Sequence, residues 1–97
     1  MLTAVEKDAW VRRLTVGTII RCIENTAHPE NVGVRYRITK PGLTSVLMEP
    51  WGLGGKAGAR WTPPKMKNLL SVEGDTIRYQ VEMRGDPHTI AWKITAP

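Results

Sequence analysis

Residues 51–67, WGLGGKAGARWTPPKMK, combine four glycines, two tryptophans and four cations without a single acid. Glycine lets a backbone come close to a partner, Lys and Arg attract phosphate or carboxylate, and indole rings offer flat apolar surface for stacking. This is the chemistry of a binding loop. Lys56, Arg60, Lys65 and Lys67 are its candidate phosphate contacts and Trp51 and Trp61 its candidate stacking platforms, joined by Arg35, Arg37 and Lys40 from the neighbouring segment 31–48. A structural use of the same residues competes with this one. With no phenylalanine in the chain, the tryptophans are needed for the core, and lysines on a loop also serve solubility alone. Both readings are open on the sequence.

Familiar phosphate motifs do not account for the loop. Gly52-x-Gly54-x-x-Ala57 has the letters of a dinucleotide fingerprint, but Pro50 precedes it and Trp61-Thr62-Pro63-Pro64 follows it, which is not a strand-to-helix turn. A P-loop would need glycine where Pro50 stands and a hydroxyl residue where Ala57 stands. Gly55-Lys56-Ala57-Gly58 resembles the GXXG loop of KH domains over four residues, without the helices that flank it there.

Catalytic and metal chemistry find little support. His28 and His88 both sit beside a proline in turn-like sequence, apart from Cys22 and from any cluster of carboxylates at ligand spacing. Ser45 and Ser71 fall within strand patterns and lack a nucleophile elbow. The chain is therefore expected to be non-enzymatic, without cofactor or metal.

The net charge of +5 is unevenly distributed. The acid-free stretches 31–48 and 51–72 together carry +7, so the remainder carries −2. Clustering of this kind predicts a basic patch rather than a uniform excess. At 97 residues the chain has room for one domain, 1–97, and the lone Cys22, set among Ile19, Ile20 and Ile23, reads as a small core hydrophobe in a reducing, cytoplasmic setting. Neither a secretory leader nor an 18-residue apolar span is visible, so no membrane association is expected.

The elements that must hold the loop follow from periodicity. Thr3-Ala4-Val5-Glu6 is a capping-box pattern and predicts a helix over 4–13 that lids a sheet. A three-stranded meander is expected over 14–49. Its first strand, 15–24, is apolar on both faces and should be central and covered. Val32, Val34, Tyr36 and Ile38 mark the second, and Lys40-Pro41-Gly42 predicts a type II turn into a third over 43–49. After the 50–67 loop, a second meander over 68–97 is expected, with a strand near 68–72 and a terminal hairpin in which Ile77, Tyr79 and Val81 alternate, then Ile90, Trp92 and Ile94. One helix and about six antiparallel strands predict a mainly β (α+β) fold, a small barrel or rolled sheet of SH3-like or OB-like size.

Two functions fit these residues. The first is a nucleic-acid-binding domain that contacts the backbone through the basic hairpin and the Gly/Trp loop. The second is a protein-interaction module (adaptor, inhibitor or homodimer) that docks through the same loop. The small, basic, motif-poor profile resembles that of small phage and mobile-element proteins.

Overall fold

The Glu6 amide donates to Thr3 Oγ1 at 3.2 Å, one half of the expected capping box, and opens helix α1 at Ala4–Arg12. The computed structural model describes residues 3–52 and 58–96. Trp10 and Val11 are the helix's buried residues. Trp10 Nε1 donates to the Asp75 carbonyl at 3.0 Å and Arg13 meets Asp75 Oδ1 at 2.5 Å, so the helix is fastened to a turn 62 residues downstream of Arg13.

Among the described residues, seven strands follow: β1 Ile19–Asn25, β2 Arg35–Lys40, β3 Val46–Pro50, β4 Ala59–Trp61, β5 Leu69–Glu73, β6 Thr76–Met83 and β7 Asp86–Ala96. All pair antiparallel in the order β4-β3-β2-β1-β7-β6-β5. The two meanders expected from the sequence are thus present, and the β1–β7 pairing splices them into one sheet. Mainly β, with one short helix and a rolled antiparallel sheet, is the fold.

The roll follows from a single contact. From β4 to β6 the sheet order takes five interstrand steps, about 24 Å if the sheet were flat. Yet Trp61 Nε1 on β4 donates to the Tyr79 hydroxyl on β6 at 2.9 Å. The sheet must curl to bring them together, and its concave side holds the core: Trp10, Leu14, Ile20, Ile38, Val46, Met48, Trp61, Ile77, Tyr79 and Ile94. Burial of such side chains, at about 25 cal/mol per Å² of apolar surface, is what stabilises the curled form. Among the described residues the edge strands β4 and β5 do not pair with each other.

Four local expectations are corrected. The first strand starts at Ile19 rather than near residue 15, because Gly17 adopts φ +95° and the Thr18 hydroxyl accepts the Thr15 amide, making a turn that leaves Val16 71% exposed. That strand is central but covered on one side only, since Arg21 is exposed. Gly42 is not among the residues with positive φ, so Pro41-Gly42 is not a type II turn. Lastly, the stretch 50–67, expected to be a loop, contains β4 and the start of a 3₁₀ turn at Met66–Asn68. A three-residue strand is too short to show an alternation in sequence. The terminal hairpin stands, with β7 extending back to Asp86 across a two-residue Arg84-Gly85 turn.

Candidate functional site

Antiparallel registers place directly opposed residues on the same face of a sheet. On the outer, convex face one row runs Arg35, Arg21, Lys93, Thr76 across β2, β1, β7 and β6. Three cations are consecutive in it, their backbones about 5 Å apart from strand to strand. A second row runs Lys40, Leu47, Arg60 across β2, β3 and β4. Between them Arg37 stands opposite Glu49. Arg35, Arg37, Lys40 and Arg60 therefore share one face with Arg21 and Lys93.

The cations on this face differ in what they already hold. Arg37 Nε donates to Glu49 Oε1 at 2.7 Å, and its guanidinium lies 4.8 Å from the centre of the Trp51 ring. It is neutralised by the acid and stacked on the indole. At the other end of the face Arg78 Nε donates to Glu24 Oε1 at 2.8 Å. Arg21, Arg35, Lys40, Arg60 and Lys93 have no ion pair with any described residue. Like charges directly opposed across strands are destabilising, so the Arg21–Arg35 pairing is a local conflict that folding alone does not require.

Trp51 is 39% exposed, and its backbone N–H donates to the Arg35 carbonyl at 3.0 Å, which anchors the indole beside the outer face. Trp61 points the other way. It is 9% exposed, packs edge-on against Trp10 with ring centres 5.9 Å apart, and belongs to the core. Lys65 and Lys67 lie on the crossover from β4 to β5, outside the strand rows; Lys7 Nζ on the helix donates to the Pro64 carbonyl in the same crossover at 3.0 Å. Lys56, with the Gly54, Gly55 and Ala57 of the phosphate and GXXG motifs, lies outside the described residues.

Arg21 and Lys93 escaped the sequence reading. Arg21 is the one exposed position in an otherwise apolar run, and Lys93 alternates with Trp92 and Ile94 in the terminal strand. Period-2 alternation marks both as outward-facing. It could not show that β1 and β7 are neighbours.

The concave side carries a second feature. At the sheet end where β1 finishes and β2 begins, a cavity of about 190 Å³ is lined by Tyr36, Trp61 and Trp92 together with the polar Asn25 and Asn31. Tyr36 and Trp92 meet at 69° with centres 6.0 Å apart. Both indole N–H groups, from Trp61 and Trp92, donate to the Tyr79 hydroxyl, which fixes the planes of the two rings. Burial pushes the Tyr79 phenol above the usual tyrosine range, so this acceptor stays neutral.

Among the described residues there is no group of three His, Cys, Asp or Glu able to hold a metal ion, and no helix is long and apolar enough to cross a membrane. Compared with protein-family models, curated proteins and solved structures, the chain matches none.

Proposed function

We propose that this protein binds the phosphate backbone of a nucleic acid along the convex face of its sheet. The observation that carries this reading is the Arg35–Arg21–Lys93 row, three exposed cations on adjacent strands with no acidic partner among the described residues. A polyanion relieves the repulsion within the row and releases its own counterions on binding, so affinity is driven by salt-sensitive electrostatics. Lys40 and Arg60 extend the contact across β2 to β4, and Trp51 offers an indole at the margin. Arg37 acts mainly as the brace that holds Trp51. Backbone contacts of this kind position a strand without reading its sequence. No carboxylate, histidine or thiol lies in the Arg35–Arg21–Lys93 row, and the reading is accordingly of a binding protein, not an enzyme.

The test is fluorescence-anisotropy titration of labelled single-stranded and duplex DNA and RNA at two salt concentrations, with Arg21→Ala and Arg35→Ala variants. Binding that weakens with salt, and a logarithmic salt slope that falls by roughly one for each arginine removed, supports the reading. Each variant should remain folded, because neither guanidinium is buried. Absence of binding at low salt overturns it and leaves docking to a protein partner as the use of the face.

A further inference from the structure

We infer that the cavity at the end of the curled sheet takes one base of an unpaired nucleic-acid strand, an assignment that rests on the backbone-binding reading of the outer face. Its size is the first argument. Sites for drug-sized ligands run to about 300–1,000 Å³, so roughly 190 Å³ suits a single planar ring system.

Its walls are the second argument. Tyr36 and Trp92 stand near perpendicular and make a corner in which a flat ring can lie against one face and touch the other edge-on. The two indoles are oriented by hydrogen bonds to Tyr79, so the corner is preformed rather than assembled on binding. Preformed aromatic surface avoids ordering losses when a base arrives.

The polar edge is the third. Asn25 Oδ1 already accepts the His28 amide at 2.8 Å, which orients that side chain and leaves its NH₂ group as the donor to offer; Asn31 brings a second side-chain amide. Amides of this kind match the donors and acceptors on a base edge. Three aromatic walls would also suit a methylated ammonium group, but no carboxylate among the described residues lines this cavity. A cation would enter against a chain of net charge +5.

Position is the fourth. On β2, Arg35 points outward and Tyr36 inward at the same end of the sheet. A strand whose phosphates follow the outer row thus reaches the cavity by turning one base over that end. Duplex cannot do this without unpairing, so the cavity favours single strands.

The experiment compares a short single-stranded oligonucleotide with an abasic oligonucleotide of equal length and charge, by anisotropy and by tryptophan fluorescence, on the native protein and on Asn31→Ala. The intact strand should bind roughly 5- to 100-fold tighter than the abasic one and quench the tryptophans, while Asn31→Ala narrows that gap and leaves abasic binding unchanged. Equal binding of the two oligonucleotides overturns the cavity assignment and leaves the outer face as the nucleic-acid site. Failure of both to bind overturns the two readings together. A trimethyllysine peptide that quenches the tryptophans, where the intact and abasic strands do not differ, overturns the base assignment in favour of a cation cage.

Discussion

The Trp61 indole N–H donates to the Tyr79 hydroxyl at 2.9 Å, joining the edge strand β4 to β6 across the interior. One oxygen therefore serves two purposes. It closes the curl of the sheet and, through its second bond from Trp92 at 3.0 Å, holds the aromatic corner of the cavity.

Removing that oxygen should weaken the whole domain. In Tyr79→Phe two indole N–H groups lose their acceptor, and a buried donor left unsatisfied costs about 1–3 kcal/mol. Urea denaturation should show a lower midpoint with little change in slope. A pH series adds a second signature. Burial raises the Tyr79 pKa in the folded state, so its contribution to stability is complete below the ordinary tyrosine range near pH 10 and is lost as pH rises through the raised value. Alkaline destabilisation should be present in the native protein and reduced in Tyr79→Phe.

Glu49 limits the outer face by neutralising Arg37. Both side chains are 41% exposed, and such pairs contribute only about 0–1 kcal/mol. Glu49→Gln should therefore leave the melting temperature nearly unchanged, tighten nucleic-acid binding several-fold at low salt and steepen its salt slope. Unchanged affinity would exclude Arg37 from the contact surface.

Gly52 is held at φ +89°, and a methyl group there would lie 2.6 Å from Arg35 Nη2. Gly52→Ala meets both obstacles. Backbone strain of at least about 1 kcal/mol and a displaced Arg35 guanidinium are expected, seen as a lower melting temperature together with a weaker, flatter salt dependence of binding. A variant that melts early but binds normally would show that the guanidinium simply moves aside.

Cys22 is fully buried, and burial pushes its thiol above the usual cysteine range. Titration with an aromatic disulfide reagent should be slow in the folded protein and immediate in denaturant. The same shift means that Cys22 favours folding fully below the ordinary thiol range and ceases to do so as pH rises through its raised value. Cys22→Ser should retain the fold but melt at a lower temperature, as a hydroxyl replaces an apolar buried group.

Arg35 and Arg37 illustrate how far the candidate site could be read in advance. Alternation in 32–39 put them outward, and the lack of acids nearby marked a basic hairpin. What Arg37 does was not legible, because its partners Glu49 and Trp51 lie 12 and 14 residues away and meet it only through the β2–β3 register. Trp51 and Trp61 sit ten residues apart in one acid-free stretch, yet one is part of the surface and the other of the core. Composition treats them alike. Only the direction of β4 separates them, and three residues carry too little pattern to reveal it.

Local rules written in the chain determined the elements themselves: the Thr3 cap, the period-2 strands on both sides of the loop, the terminal hairpin and a basic middle segment. Each depends on neighbours within a few residues, which is the range over which backbone sterics and side-chain alternation act. The tertiary structure decided which strands lie side by side. The β1–β7 pairing joins residues more than 60 positions apart, brings Lys93 beside Arg21, and sets Trp92 with Asn25 and Tyr36 at one end of the curl. Nothing local encodes that pairing, because it is selected by burial of one common core, a property of the whole chain.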